Sequence, residues 1–332
     1  MAAPGCTPPG RILVTGAGGF VGRHLLPALR RAFPAATLLA TSREGPVPGA
    51  DALLPLDLAA PEAFPALLAA ARPDAVLHLA AQAHVPRAFA DPAGTWRLNV
   101  DASLALAEVV RREHPAALFV FISSAEVYGL SFRTGLALDE SAALAPANPY
   151  AASKAAAELG LREMALRGLR LLVLRPFGHV GPGQAADYAL ANFARQVALI
   201  GAGQQQPMLR AGALDRWRDL LDVRDVCAAY VAALARGGAL ENGTVLNIAS
   251  GQPRLLADVV RDLLALGGVT ATLHTEAALL RPTDLLRTEG NASRAAALLG
   301  WAPAMPWETT LRDMVADWRE RVAVPGNTLA RQ

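Results

Sequence analysis

A tyrosine and a lysine stand four positions apart in the alanine-rich segment NPYAASKAAAELG, residues 148–160. Asn148 can cap a helix that begins with Pro149, where a missing N–H costs nothing. Tyr150 and Lys154 then lie one turn apart on the same face. An ammonium group beside a phenol lowers the tyrosine pKa toward the range useful for a general acid or base. A purely structural pair, a buried tyrosine with the alkyl chain of a lysine packed along it, would explain the spacing equally well.

The hydroxyls of Ser123 and Ser124 follow the apolar run ALFVFI, just upstream of this helix. Ligands of open α/β sheets bind beyond the carboxyl ends of the strands, where these hydroxyls fall. Either serine could bond a substrate oxygen, and this context favours a catalytic role for the tyrosine and the lysine.

Three glycines, Gly16, Gly19 and Gly22, separate the apolar run RILVT from a helical pattern. The first permits a tight turn, the second admits a pyrophosphate, and the third lets the helix pack on the strand. This GxxGxxG spacing is one residue longer than the common dinucleotide fingerprint, and a turn that only closes a β–α unit is the alternative. The flanking strand and helix favour nucleotide binding.

The second predicted strand ends in ATSREG, where a carboxylate would be expected for NAD. Thr41, Ser42 and Arg43 instead offer donors to a 2′-phosphate, so the sequence favours NADP, with NAD possible. A solvated loop arginine is the alternative for Arg43. Asp57 could accept from the adenine amine, although an ordinary loop aspartate is an equal interpretation.

Short apolar runs alternate with longer helical patterns, which predicts βαβ units on a parallel sheet. We expect an α/β Rossmann-type doubly wound parallel sheet with a smaller C-terminal substrate-binding lobe. The predicted strands are RILVT, TLLAT, DAVLHLA, ALFVFIS and RLLVLRP, and the predicted helices cover residues 19–32, 61–71, 95–113 and 149–167.

Glycine- and proline-rich loops follow residue 176 and indicate a change of organisation. We predict a dinucleotide-binding domain over residues 11–177, completed by about 223–248. A discontinuous substrate-binding lobe is expected over 178–222 and 249–322, and flexible tails over 1–10 and 323–332.

The composition excludes several classes of function. The 31 Lys plus Arg against 29 Asp plus Glu leave a net charge of +2 without a basic run, so nucleic acid is not an expected partner. No apolar run is long enough to span a bilayer and the first residues lack a signal-peptide pattern, so we expect a cytoplasmic protein with no membrane association. The two cysteines and six histidines show no ligand-like spacing, so no disulfide framework and no metal site are predicted.

The ordered set of motifs resembles the extended short-chain dehydrogenase/reductase family that acts on nucleotide sugars. The glycine turn, HLAAQ, Asn99 in RLNVDAS, the serine-bearing strand end and YAASK carry this resemblance, which extends over residues 11–320. The segments NPYAASKAAAE, RPFGHVGPGQ, WRDLLDVRDVCAAY, VLNIASGQPR and RPTDLLRTEGNASRAAALLGWAP are similar to the branch that reduces GDP-6-deoxy-4-keto-mannose.

The resemblance implies roles for individual residues. The spacing between the family serine and the VYG segment selects Ser124 over Ser123. The resemblance thus implies that Ser124, Tyr150 and Lys154 form the catalytic trio. Arg218 and Arg281 match arginines that bind the nucleotide diphosphate, which suits the guanidinium fork, although either could be a surface ion pair. The implied cofactor-binding residues are Gly16, Gly19, Phe20, Val21, Gly22, Thr41, Ser42, Arg43, Asp57, Leu58, Leu79, Ala80, Ala81, Asn99, Tyr150, Lys154 and His179. The implied substrate-binding residues are Ser124, Ala125, Glu126, Gln184, Asn192, Arg195, Arg218 and Arg281.

Two positions depart from the family pattern. Gly178 replaces an asparagine of RPFNH that contacts the substrate diphosphate, and Leu220 replaces the phenylalanine of RDF. Both departures bear on which nucleotide sugar is bound.

The resemblance implies NADPH-dependent reduction of the C4 ketone of a nucleotide-linked 4-keto-6-deoxy sugar, giving GDP-D-rhamnose from GDP-4-keto-6-deoxy-D-mannose. A 4,6-dehydratase or 4-epimerase that recycles its cofactor is the alternative. Glu126 stands where dehydratases carry a base, but Ala125 replaces their second polar group. A non-catalytic cofactor sensor is a distant alternative. The resemblance also implies a homodimer formed through the helices at 95–113 and 149–167. Packing of these helices on the sheet would explain their apolar faces equally well.

Overall fold

The computed structural model of the chain describes residues 8–43, 45–280 and 285–323. Arg281, Cys6 and most of the two predicted tails therefore lie outside the described residues. The strands are β1 (Arg11–Thr15), β2 (Thr37–Thr41), β3 (Ala52–Leu54), β4 (Ala75–His78), β5 (Leu118–Ile122), β6 (Arg170–Pro176), β7 (Gly178–Val180), β8 (Met208–Ala211), β9 (Trp217–Asp222), β10 (Thr244–Ile248), β11 (Pro253–Leu255), β12 (Thr272–Thr275) and β13 (Arg287–Thr288). The α-helices are α1 (Phe20–Ala32), α2 (Phe64–Ala71), α3 (Val85–Ala90), α4 (Pro92–Trp96), α5 (Ala102–Glu113), α6 (Pro149–Leu166), α7 (Ala189–Gly201), α8 (Val223–Arg236), α9 (Leu256–Gly267), α10 (Ser293–Leu299) and α11 (Trp307–Ala323).

A parallel sheet of seven strands, in the order β10-β6-β5-β4-β1-β2-β3, forms the centre of the molecule. Its inner strands are apolar on both faces because helices cover both sides, as all-parallel sheets require. Helices α1 and α8 pack on one face, and α2, α5 and α6 pack on the other. This confirms the predicted Rossmann-type fold. The order reverses beside β1, which places the ligand crevice at the carboxyl ends of β1 and its neighbours.

A second set of elements follows β6. Strand β9 pairs with β7, β11 and β13, and β8 pairs with β12. Helices α7, α9 and α11 pack around a separate apolar cluster that contains Phe193, Leu263 and Trp318. Helix α8 and strand β10 return to the central sheet between these segments. The predicted division into domains remains a prediction.

The predicted helix at 95–113 is divided in the structure. Residues Arg97–Asp101 form a π-helical turn between α4 and α5. Wider turns of this kind frequently occur at functional sites. Here the turn contains Asn99, whose amide bonds to Gln82 and Ser153. A tertiary contact of this kind leaves no periodic pattern in the sequence.

Within the described ranges, no helix is long and apolar enough to cross a bilayer. The same residues contain no group of three or more His, Cys, Asp or Glu side chains that could hold a metal ion. Cys227 is a buried free thiol.

A buried ion pair joins the two central strands β5 and β6 to α6. Arg175 of β6 and Glu158 of α6 are 2% and 0% exposed. Ser123, directly after β5, donates to Glu158 at 2.7 Å, and Arg175 donates to the hydroxyl of Tyr128 at 2.8 Å. Tyr128 in turn donates to Asn247 of β10 at 2.7 Å. Every charge in the network thus has partners, as burial of ionic groups demands.

Removal of one member of this pair should strongly destabilise the fold. Glu158→Ala leaves the Arg175 guanidinium buried without its counter-ion, which typically costs about 3–5 kcal/mol. Urea denaturation followed by circular dichroism measures the loss. Glu163→Ala on the same helix is the matched control, because both side chains of its ion pair with Arg167 are at least half exposed and the pair should matter little. Equal midpoints for both variants would contradict this account.

Candidate active site

The turn between β1 and α1 requires its glycines. Gly16 has a φ of +69°, and an added Cβ would lie 2.8 Å from the backbone of Ala80. At Gly22 an added Cβ would lie 2.3 Å from the carbonyl oxygen of Ala17. The first glycine is therefore needed for both its conformation and its close approach to the loop after β4, and the third is needed for helix packing.

Gly19 faces open space at the amino end of α1. It is exposed, makes no side-chain cap, and an added Cβ would meet only the Gly16 oxygen, at 3.3 Å. No acidic residue lies in the first turn of α1. The first amides of a helix lack intrahelical partners and carry partial positive charge. These residues fit the pyrophosphate of a dinucleotide, and Phe20 and Val21 begin the helix that would bind it.

The three predicted donors at the end of β2 have different surroundings. The hydroxyl of Thr41 is buried and accepts the amide of Gly16 at 3.2 Å. Ser42 packs against Gly18, where an added Cβ would lie 2.2 Å from its hydroxyl oxygen. Arg43 is exposed. Because the Thr41 hydroxyl holds the glycine turn, Arg43 is the best placed of the three to meet a 2′-phosphate.

The loops after β3 and β4 contain further predicted cofactor residues. Asp57 is exposed and its carboxylate accepts the amide of Ala59 at 2.9 Å, while Leu58 is half-buried. Leu79, Ala80 and Ala81 are half-buried and follow β4, beside the glycine turn.

Asn99 is completely buried. Its side chain accepts the amide of Gln82 and donates to the Gln82 carbonyl oxygen and to the hydroxyl of Ser153. A direct cofactor contact, as the sequence predicts, would have to replace one of these bonds. The geometry favours a role in which Asn99 holds the loop after β4 against the amino end of α6.

Helix α6 begins as the sequence predicts. The Asn148 side chain accepts the amide of Ala151 at 2.8 Å, and Pro149 is the first helical residue. This cap directs Tyr150 toward Ser124, whose hydroxyl acts on the pKa of the phenol. Ser123 is occupied elsewhere, by its bond to Glu158. Of the two adjacent serines, Ser124 is therefore the one that acts on Tyr150.

Lys154 lies one turn further along α6 and is 3% exposed. Its ammonium nitrogen is 4.1 Å from the centroid of the Phe121 ring. Burial lowers the pKa of Lys154 to about 7, and the negative charge of Glu158 opposes this shift. Burial raises the pKa of Tyr150, whereas its bond with Ser124 lowers it and the charges of Glu126 and Tyr188 raise it.

The expectation that Lys154 lowers the pKa of Tyr150 is wrong in this structure. The phenol is desolvated, and desolvation disfavours its charged form. The lysine is desolvated too, so that near pH 7 only about half of it carries the charge that would stabilise a phenolate. The buried surroundings thus outweigh the helical spacing.

Glu126 lies beside the amino end of α6, and His179 lies on β7 beside the first turn of α1. Glu126 is exposed and accepts a bond from Asn148 at 3.0 Å, while Ala125 beside it is buried. The His179 ring lies parallel to that of Phe20, with centroids 6.3 Å apart, and its Nδ1 contacts the carbonyl oxygen of Phe177. Burial lowers the pKa of His179. His179 therefore lies beside the first turn of α1.

The other predicted substrate residues are spread over the second lobe. Asn192 and Arg195 of α7 line a groove, and Arg218 of β9 donates to the carbonyl oxygens of Trp217 and Leu285. Gln184 is 5% exposed and its amide donates to the carbonyl oxygen of His179, so it stabilises the loop from inside.

The two departures from the family pattern are neighbours. Gly178 and Leu220 are directly paired in the β7–β9 register. A Cβ added at Gly178 would lie 3.0 Å from a methyl group of Leu220. Both departures therefore change the same contact between β7 and β9, and β9 is the strand that carries Arg218.

Two features of the site were missed by sequence reasoning. Tyr188, directly before α7, acts on the pKa of Tyr150 and meets the His84 ring edge-on at 6.0 Å between centroids. No motif marks Tyr188, because its position depends on how the two lobes meet.

Lys154 is the only lysine among the 31 Lys and Arg residues of the chain. That count alone would have singled it out.

Comparisons with known proteins agree with this arrangement. The family model described as "NAD dependent epimerase/dehydratase family" matches residues 12–249. The chain is 38% identical to GDP-6-deoxy-D-mannose reductase of Pseudomonas aeruginosa, over 94% of this chain and 98% of that protein. A structure of RMD from Pseudomonas aeruginosa complexed with NADPH has a TM-score of 0.83 and 35% identity, covering 94% and 99%. UDP-glucose 4-epimerase of Thermus thermophilus, complexed with NAD, has a TM-score of 0.81 and 27% identity, covering 95% and 100%.

The pKa of Lys154 can be measured without interference, because the chain contains no second lysine. Biosynthetic incorporation of ¹³Cε-lysine should give one Cε resonance that titrates with a midpoint of about 7. This folded value lies below that of the unfolded chain, so this group makes the free energy of unfolding rise as the pH increases above 7 toward the ordinary lysine range. Lys154→Met, which lacks the resonance, is the control. A midpoint near 10 would contradict the burial argument.

Proposed function

The chain belongs to the NAD dependent epimerase/dehydratase family, and from this premise we propose that it reduces the C4 ketone of a nucleotide-linked 4-keto-6-deoxy sugar with NADPH. The proposed conversion is that of GDP-4-keto-6-deoxy-D-mannose to GDP-D-rhamnose. The placement of Ser124 where it acts on the pKa of Tyr150, with Lys154 one turn further along α6, is the observation that carries this proposal.

NADPH, when bound, supplies a hydride to the carbonyl carbon. Ser124 and Tyr150 bind the carbonyl oxygen and orient it. Tyr150 remains protonated at neutral pH because burial raises its pKa, and it gives its proton to the oxygen as negative charge develops there. Lys154, with a pKa of about 7, is acidic enough to return a proton to the tyrosinate. Glu158, through its negative charge, favours the protonated lysine that this step requires.

The cofactor assignment follows from the turn after β1 and from the end of β2. The exposed Gly19 in a turn that requires Gly16 and Gly22 supports binding of a dinucleotide pyrophosphate, and the exposed Arg43 supports binding of a 2′-phosphate. The relative that binds NADPH supports NADP(H), and the relative that binds NAD leaves NAD(H) possible. Asp57, Leu58, Leu79, Ala80, Ala81 and His179 complete the proposed cofactor contacts.

Glu126 favours a second candidate function, a 4,6-dehydratase. It lies beside Asn148 and its charge acts on Tyr150, so it could remove a proton from the sugar. A dehydratase also needs an acid for the departing hydroxyl group. Ala125 at the neighbouring position cannot supply one, and we therefore favour the reductase.

A homodimer and a cytoplasmic location belong to the same proposal. Leu159 and Leu166 lie seven positions apart on one side of α6 and are 55% and 89% exposed. Exposed apolar residues on one side of a helix are suited to packing against a partner helix. The molecular mass in solution tests this, and a monomer would contradict it.

The reductase proposal predicts a specific pattern of substrates. With GDP-4-keto-6-deoxy-D-mannose the protein should consume NADPH stoichiometrically, measured by nicotinamide absorbance. Incubated with GDP-mannose and NADP⁺ it should form no keto sugar. Tyr150→Phe should lower kcat about 10²- to 10⁴-fold, the usual worth of a positioned acid.

Matched variants make this result interpretable. Glu163→Ala is the control, because Glu163 lies in the last part of the same helix as Tyr150 and its ion pair with Arg167 is solvent-exposed, so that turnover should be unchanged. Glu126→Gln should retain much of the reductase activity. Formation of keto sugar from GDP-mannose, abolished by Glu126→Gln, would establish the dehydratase instead. Binding of NADPH with no consumption for any keto-sugar nucleotide would indicate a sensor.

Arg43→Glu should reverse the choice of cofactor. A carboxylate there repels the 2′-phosphate of NADPH but can accept from the free ribose hydroxyl of NADH. We expect kcat/KM to fall for NADPH much more than for NADH. Arg72→Glu, an exposed substitution before β4 at the opposite edge of the sheet, is the control. An unchanged NADPH to NADH ratio would show that Arg43 is only a solvated loop residue.

A further inference from the structure

The loop at residues 181–184, which we call the junction loop, has the sequence GPGQ and follows β7. Gly183 has a φ of +88°, a conformation that favours glycine. At Gly181 an added Cβ would lie 2.7 Å from a methyl group of Val223 in α8. Glycines at both positions permit this course, but they also leave a free chain many conformations. The loop therefore depends on contacts with other elements for its order.

Two side chains of α11 hold the backbone of the junction loop. Asp317 accepts the amide of Gly183 at 3.0 Å, and Arg321 donates to the carbonyl oxygen of Gln184 at 3.2 Å. Asp317 and Arg321 lie one turn apart and form an ion pair at 3.2 Å, so each orients the other. The Arg321 guanidinium also lies over the ring of Trp318, 4.5 Å from its centroid. The pair is thus a clamp on two consecutive residues of the loop.

Helix α11 is itself fixed to several parts of the fold. Its apolar face packs in the cluster of the second lobe that contains Trp318. On its polar face Asp313 pairs with Arg224 of α8 at 2.7 Å. Asp313, Asp317 and Arg321 follow one another at intervals of four residues, which places them on one side of the helix. One helix therefore joins the second lobe, the start of α8 and the junction loop.

The junction loop is connected to the proposed cofactor site through His179. The side-chain amide of Gln184 donates to the carbonyl oxygen of His179 at 3.1 Å. The His179 ring lies parallel to that of Phe20, at the start of α1. His24, one turn further along α1, meets the Phe20 ring edge-on, and its Nε2 is 2.8 Å from the carbonyl oxygen of Pro182. Contacts therefore run without a break from α11 through the loop to the first turn of α1.

We propose that Asp317 and Arg321 are positioning residues that set the affinity for the dinucleotide by holding the junction loop in its binding conformation. They act through the loop and His179. The inference rests on the cofactor assignment of the proposed function. When the conformation that binds a ligand is only partly populated, the apparent Kd rises in inverse proportion to that population. Loss of the clamp should therefore weaken dinucleotide binding and leave the chemical step unaltered.

A second ion pair on α11 offers a matched comparison. Glu308 and Arg312 have the same spacing as Asp317 and Arg321, but their side chains are 70% and 58% exposed. The side chains of Asp317 and Arg321 are 23% and 27% exposed because they face the loop. An exposed pair of this spacing contributes little to stability. The two pairs thus differ in their contact with the junction loop.

Titration of the full chain with NADPH, followed by the fluorescence of the nicotinamide, tests the proposal without requiring catalysis. Arg321→Met should raise the Kd roughly 10-fold, the equivalent of one hydrogen bond to a charged group. Arg321→Lys keeps a donor and the positive charge, so it should recover most of the affinity. Arg312→Met, which removes the comparison pair, should leave the Kd unchanged.

Hydrogen exchange of the protein without cofactor tests the loop itself. Asp317→Ala frees the amide of Gly183, so a peptide that covers residues 181–184 should exchange faster than in the unsubstituted protein. Arg321→Met should act in the same direction, and Arg312→Met should have no effect. A raised Kd for NADPH with unchanged exchange would overturn the proposal, because the loop would not carry the effect.

Each further outcome decides a separate question. An unchanged Kd for NADPH in Arg321→Met and Asp317→Ala, or an equal rise in Arg312→Met, would overturn the positioning role. A lower kcat at saturating NADPH with an unchanged Kd would overturn it too. Weaker binding by the variants, with no reduction of any keto-sugar nucleotide by the unsubstituted protein, would overturn the reductase and leave the positioning role standing. Absence of dinucleotide binding by the unsubstituted protein would overturn both. Thermal unfolding confirms that each variant is folded.

Discussion

The site depends on a buried ion pair between Arg175 and Glu158. These two charges lie in the interior between β6 and α6, and their remaining bonding capacity is met by Ser123 and Tyr128. Burial of charges is tolerated only when such partners are complete. Since Glu158 lies one turn after Lys154 and Ser123 lies next to Ser124, the network fixes helix α6 relative to the end of β5. A shift of α6 would break several charged bonds at once.

The same low-dielectric interior sets the acid–base properties of the site. Burial lowers the pKa of Lys154 to about 7 and raises that of Tyr150. Opposite shifts of an acid and its neighbour are expected when desolvation outweighs their mutual interaction. The tyrosine is thus kept protonated, as the proposed donor to a ketone must be, and the pKa of the lysine suits its proposed role in restoring that proton. Glu158 contributes to both stability and chemistry, because its charge moderates the shift of the lysine.

Much of the fold was predictable because local patterns and burial agree. The runs RILVT, TLLAT and RLLVLRP coincide with β1, β2 and β6, since strands covered on both faces must be continuously apolar. The short edge strand β3 was not predicted, because its largely exposed residues carry no such pattern. Nor was the π-helical turn at Asn99, which exists to satisfy bonds to residues far away in the chain.

The sequence by itself determined the types and local spacing of the chemical groups. The glycine turn, the cap at Asn148 and the pair Tyr150 and Lys154 follow from short-range geometry, which an amino-acid pattern can encode. The tertiary structure alone decided that Gly178 faces Leu220 and that Tyr188 reaches the site from the second lobe. It also decided the direction of the pKa shifts. Desolvation and contacts between distant segments depend on how the whole chain packs, and no local pattern contains that information.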